Sequence, residues 1–277
     1  MPFETGRRLC LLFEAGSVRY AVEATSVVEV SPPDAEGDKL RGVFDLTDLS
    51  VVLGGSGEER PGLALLVDVS PTRAVRIRKV VEVADVAQAP FFMLPPGLGE
   101  RLGRLVRGAF LYQAQLFLEL AVEALAEPRA PLEVSPGASP VLPVFPLEAA
   151  PERGLIFESQ GRLYGLPLPW VLQVVAAAGP FSPLPSEGGP VAGLYAHDQA
   201  LWPIYSAPGL LGGEARREPL FILADLAGHH VGLCATRVLG VHGSLQRPEG
   251  APGQGGEFLA RGIPGPSLFL DFQRMFS

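Results

Sequence analysis

Four histidines, two cysteines and a few loop serines are the residues of this chain that could do chemistry, and their spacing argues against most of it. His197, His229, His230 and His242 all fall in the second half. A zinc centre needs three or four ligands converging on one point. His229 and His230 are adjacent, so in a strand they point to opposite faces, and structural or surface roles fit them better. The segment GLGERLG (97–103) has glycines but not the spacing or the parallel βαβ setting of a dinucleotide loop. Ser56 in GGSGEE and Ser135 in VSPG sit in loops with no nucleophile-elbow context. No nucleophile–base pair is found, so neither an enzyme nor a cofactor or metal site is expected. Binding chemistry remains. Trp202 and Tyr205 flank Pro203, where they read either as interface anchors or as core packing. Leu194 and Tyr195, after Gly193, carry the same two readings. Arg73, Arg76, Arg78 and Lys79 form a basic cluster, either a solvated strand face or a docking patch for an acidic partner.

The elements that position these residues come from a duplication. LFEAGSVRYAVEATSVVEV (12–30) aligns without a gap with IFESQGRLYGLPLPWVLQV (156–174), at a constant offset of 144. Phe13, Glu14, Tyr20, Val27 and Val30 recur as Phe157, Glu158, Tyr164, Val171 and Val174. Arg107-Gly108 returns as Arg261-Gly262, and LFLEL (116–120) as LFLDF (268–272). The period is far longer than a solenoid repeat, and each copy is long enough to be a domain. Between them, residues 127–151 hold seven prolines in 25 residues. Such a stretch reads as a semi-rigid linker, with a proline-rich peptide ligand as the other reading. The expected domains are 1–126, 127–151 as linker, and 152–277.

Within each copy, period-two apolar runs alternate with turn signals. Leu9, Leu11 and Phe13, then Val18, Tyr20 and Val22, hinge on Ala15-Gly16 as a β-hairpin. Residues 24–30 and 169–175 read as a helical turn running into a strand. LALLVDV (63–69) and LFILADL (220–226) suit strands buried on both faces. Val75, Ile77 and Lys79 alternate with Arg76 and Arg78 as a further strand, and AGHHVGL (227–233) supplies a hairpin turn. Only 101–106 and 121–126 read as helical in the first copy. The fold class is therefore all-β with a few short helices, built as small barrels or a sandwich.

Composition narrows the partners. The 277 residues carry a net charge of −8. The first 127 residues hold 13 basic and 18 acidic side chains, and the rest 9 and 12. Neither half has the positive footprint that phosphate-backbone binding needs, so no nucleic acid is expected. Cys10 and Cys234 lie one in each half at non-matching positions, which suits reduced thiols. No uncharged apolar run of about 18 residues exists to cross a membrane, and the start of the chain does not read as a signal peptide. A cytoplasmic protein is expected, and the Gly, Pro, Ala and Arg richness hints at a bacterial genome of high GC content.

The order of segments in the second copy carries a resemblance. YGLP (164–167), VLQV (171–174), AGLY (192–195), LWPIY (201–205), LFILADL, Gly228 to Val241, ARG (260–262) and LFLDF follow one another. This series resembles the CheW-like domain of bacterial chemotaxis adaptors over essentially its whole length, and the first copy inherits the resemblance through the repeat. The resemblance implies two tandem domains, each a pair of five-stranded SH3-like barrels, with no active site. It implies coupling of a chemoreceptor to a histidine kinase, through Arg41, Gly42 and Val43 in the first copy and Gly193, Leu194, Tyr195, Trp202 and Tyr205 in the second. The first copy departs from the pattern by lacking roughly a hairpin after Arg41-Gly42-Val43-Phe44. The second has Thr236 where the family usually has Asp. These departures leave open a motility or cell-polarity regulator as partner, and two copies could also pack as an internal pseudo-dimer. A β-barrel that binds or hydrolyses a small molecule is the alternative of another class, resting on the aromatic and histidine content of the second half.

Overall fold

The structure is a computed structural model that describes residues 7–53, 62–96, 98, 100–126, 147–184, 189–226, 228–248 and 256–271. Gly97, Ser56, Ser135, Ala227 and linker residues 127–146 lie outside the described residues. The first repeat opens with β1 (Leu9–Ala15) and β2 (Val18–Glu23), then β3 (Val27–Ser31), β4 (Lys39–Leu40) and β5 (Phe44–Asp48). The four-residue helix α1 (Leu49–Val52) follows, then β6 (Leu63–Val67), β7 (Arg73–Ile77), β8 (Lys79–Asp85) and β9 (Phe91–Phe92). Helix α2 (Glu100–Leu105), β10 (Val106–Tyr112) and β11 (Gln115–Leu120) complete it. The second repeat runs β12 (Arg153–Ser159), β13 (Arg162–Pro167), β14 (Val171–Ala176), β15 (Phe181–Pro183), β16 (Val191–His197) and β17 (Ala200–Tyr205). It ends with α3 (Ala207–Leu210), β18 (Leu220–Leu226), β19 (His229–Ala235), β20 (Arg237–Gly243), β21 (Glu257–Phe258) and β22 (Ser267–Phe269).

Four sheets result. In the first repeat their orders are β8-β1-β2-β11-β10-β9 and β3-β6-β7-β5-β4; in the second, β20-β12-β13-β22-β21 and β14-β18-β19-β17-β16-β15. Two sheets have five strands as expected, and two have six, because β9 and β15 each add a short edge strand. The repeats share their pairing logic. Phe13 opposes Tyr20 and Phe157 opposes Tyr164 across the first hairpin, and β11 and β22 join β2 and β13 in parallel. The strand expected through Val75 to Lys79 breaks at Arg78. That residue's N–H donates to the Glu14 carbonyl at 2.7 Å, and its equivalent in the second repeat, Thr236, donates to the Glu158 carbonyl at 2.7 Å.

Of the expected helical segments, 101–106 forms α2 with Leu102 and Leu105 buried, while 121–126 holds only a 3-10 turn, Val122–Leu125. Helices α1 and α3 lack an apolar period long enough to read from sequence. Each is started by a cap: Asp48 Oδ1 accepts from Ser50 N at 2.9 Å, and Ser206 Oγ from Gly209 N at 3.3 Å.

The chain divides into two compact units. Unit 1 comprises Met1–Val134, Pro180–Glu187 and Leu194–Leu201; unit 2 comprises Ser135–Gly179, Gly188–Gly193 and Trp202–Ser277. The main core of unit 1 gathers Phe13, Tyr20, Val22, Leu65, Val75, Leu116 and Leu118, together with Leu194, Ala196 and Leu201. A smaller core packs Cys10, Leu12, Ala21, Phe110 and Phe117. Unit 2 repeats the plan with Phe157, Tyr164, Leu166, Ile222, Leu233 and Tyr205 in the larger core and Ile156, Phe258 and Phe269 in the smaller. Leu147, at the end of the expected linker, packs against that smaller core and donates its N–H to the Phe269 carbonyl at 3.0 Å.

Candidate docking surfaces

Arg41, Gly42 and Val43 form the turn between β4 and β5. Arg41 and Gly42 both have positive φ, 54° and 64°; glycine takes this conformation freely, arginine only at a cost. Two contacts hold the turn. Val43 N–H donates to the Leu40 carbonyl at 3.2 Å, and the Arg41 guanidinium pairs with Glu29 on β3, whose other oxygen accepts from Ser31 Oγ at 2.9 Å. Val43 is left 71% exposed.

The second-repeat residues are placed differently. Gly193, Leu194, Tyr195, Trp202 and Tyr205 are all buried. Gly193, Leu194 and Tyr195 lie on β16, and Trp202 and Tyr205 on β17. The Tyr195 ring stacks on His197 at 5.8 Å, and Trp202 on His230 at 4.8 Å with planes 7° apart. Burial pushes the Tyr205 hydroxyl up to about 12. The structure brings Leu194 into the core of unit 1 and Tyr205 into that of unit 2.

Sequence reasoning passed over a second set of residues: bulky aliphatics left exposed at matching places in both repeats. Val28 on β3 is 56% exposed, and Leu172 on β14, 144 residues on, is 57% exposed. Val83 on β8 and Val241 on β20 are 56% and 41% exposed, and they oppose the equivalent residues Leu11 and Leu155. All four lie on edge strands of their sheets. The signal was present in the gapless alignment, which pairs Val28 with Leu172, but strand alternation alone could not say which face meets water.

The charged groups are spent on local pairing. Glu14 faces Arg19, Arg78 and Lys79 at 3.7, 3.8 and 3.4 Å, and its repeat partner Glu158 takes Arg237 at 2.7 Å. Arg76 reaches the Gly37 carbonyl at 3.1 Å and Asp38 at 3.6 Å. Three of the four cations of the basic cluster therefore face carboxylates. Thr236 also finds its reason here. Its hydroxyl donates to the buried Glu218, which accepts from Ser159 Oγ and, at 3.1 Å, from Gln160 N–H. A carboxylate at 236 would face that of Glu218, so threonine suits the site. Unit 1 also carries a cleft of about 350 Å³ lined by Ser26, Asp68, Val69, Ser70, Val122, Glu123 and Ala126. Among the described residues, no group of three or more His, Cys, Asp or Glu is placed to hold a metal ion, and no helix is long and apolar enough to cross a membrane.

Residues 153–265 match the family model described as CheW-like domain. The comparison with curated proteins gives no match. Among solved structures, the scaffolding protein TtCheW from Thermoanaerobacter tengcongensis aligns with 46% of this chain and 94% of its own, at 18% identity and a TM-score of 0.37.

Proposed function

We propose that this chain, whose residues 153–265 form a CheW-like domain, is a non-catalytic adaptor of a bacterial chemosensory pathway that joins a histidine kinase and a chemoreceptor by protein–protein contact. The family match supports the adaptor role. The observation that carries the mode of contact is the recurrence of exposed aliphatics on edge strands at Val28 and Leu172 and at Val83 and Val241. An isolated exposed aliphatic is ordinary. The same position kept aliphatic twice, on an edge strand, suits apolar contact at the centre of an interface and strand addition beside it. In the first repeat the Arg41–Val43 turn stands beside β3 and adds a charge that can set register more than affinity. Two such edges on one chain let the adaptor hold two partners at high effective concentration.

The test is affinity capture of the full chain from its native cytoplasm, comparing wild type with Val28→Glu, Leu172→Glu and Arg41→Glu. Exposed sites of this kind leave stability within about 0.5 kcal/mol, so loss of capture reports contact. Recovery of kinase or receptor, with different partners lost in Val28→Glu and Leu172→Glu, is the expected result. Capture of a motility or polarity complex with neither kinase nor receptor would replace the chemosensory reading.

A further inference from the structure

Leu194–Leu201, the end of the β16–β17 hairpin, groups with unit 1 and not with the strand ends it continues. Leu194, Ala196 and Leu201 are buried in the same apolar cluster as Phe13, Tyr20, Leu116 and Leu118 of the first repeat. Leu184, from the other second-repeat segment of unit 1, packs against that cluster, and β15 lies beside β2 and β11. The turn at the tip, Asp198-Gln199, has both residues at positive φ, 46° and 62°. That is the geometry of a two-residue type I′ turn, which ordinarily selects Asn-Gly or Asp-Gly. Gln199 takes this conformation only at a cost, which persists where the surrounding structure over-determines it; Leu194, Ala196 and Leu201 behind the turn are buried. The first repeat has no such hairpin of its own, since β4 is two residues long and its turn leaves Val43 exposed.

We propose that Leu194–Leu201 is an internal lock: the second repeat lends this hairpin tip to complete the core of unit 1. The first repeat is then not an independent domain. The tip also withholds Leu194 from any external partner until it withdraws, so a partner that needs it competes with unit 1 for the same residue. The occupant of this apolar face is a segment of the chain itself, because burial in the cluster identifies it. The inference does not rest on the adaptor reading, and its test uses no partner, so either can fail alone.

The experiment is hydrogen exchange of the full chain by mass spectrometry, comparing wild type with Leu194→Ala, Leu201→Ala and the paired change Asp198→Asn with Gln199→Gly. Each alanine variant is expected to raise exchange in β2 and β11 by about tenfold or more while β12 and β13 change less than about twofold, as separate cooperative units require. The Asn-Gly turn relieves the tip while removing only exposed side-chain atoms and the Asp198 contact with His197, and it is expected to slow exchange in those same unit 1 strands. Faster exchange confined to β17, β18 and β19 in the alanine variants, or slower exchange confined to the hairpin in the Asn-Gly variant, would overturn the proposal. The second variant keeps the test decisive if an alanine variant fails to fold.

Discussion

In the first repeat the strand that follows the second sheet's opening edge ends after two residues, at Leu40; in the second its counterpart β16 runs for seven. Both hairpins return along a strand that pairs in parallel with the next, β5 with β7 and β17 with β19. The turn itself is exposed in both copies, at Val43 and at Asp198-Gln199, but in the second the strands behind it bury Leu194, Ala196 and Leu201. The inner packing differs as well. Cys10 and Ala21 line the first small core, where Phe110 and Phe117 stack at 5.9 Å. Their equivalents, Gly154 and Gly165, leave room for Phe269, which meets Phe258 edge-on at 5.5 Å. The strand pairings, which depend on backbone, agree between the two halves, while the side-chain volumes differ in compensating pairs.

The largest expected effect tests what the repeats share. The ring pairs Phe13–Tyr20 and Phe157–Tyr164 stack at 5.7 and 5.8 Å with the same 26° between planes. Phe13→Ala and Phe157→Ala should each cost about 3–5 kcal/mol of stability in urea titrations, through lost burial and the cavity left behind. Markedly unequal losses would mean that the two cores are not equivalent. A smaller effect is expected where they differ. A methyl group on Gly165 would lie 2.1 Å from the Phe269 ring, so Gly165→Ala should destabilise by about 1–3 kcal/mol through overpacking, although the first repeat carries alanine at this very place. Neutrality there would show that Phe269 has another rotamer available.

The smallest effect compares the units through their thiols. Burial pushes Cys10 from 9.0 up to about 11, with Arg8 opposing the shift, and Cys234 up to about 12. Both should stay unlabelled by a thiol reagent at pH 8 in the native chain, since the thiolate is the nucleophile. The sign of the stability effect follows. The folded chain keeps protons that the unfolded chain releases near 9, so stability is full below that pH and falls as pH rises toward 11 and 12. Labelling at Cys10 before Cys234 as pH climbs is the expected order, and the reverse would place the less stable environment in unit 2.

The hairpins, the buried central strands and the likeness of the two strand orders were legible because strand alternation and gapless identity are local signals. The β1–β2 turn and β18 fell where Ala15-Gly16 and LFILADL put them. The break at Arg78 was not legible, since alternation continues through it and only the hydrogen bond to Glu14 interrupts the strand. The candidate surface was legible in part. Arg41–Val43 stand exposed in their turn, whereas Trp202 and Tyr205 had two readings that differ only in what lies above the ring.

By itself the sequence determined the likeness of the two halves, the family resemblance of the second, and a net charge of −8. Tertiary structure alone decided which aliphatics meet water, why Thr236 suits a site that already holds Glu218, and in which unit Leu194, Ala196 and Leu201 are buried. The reason is physical: pairing pattern is written in residues a few positions apart, whereas burial depends on what packs over a face, and that cover comes from segments far away in the chain.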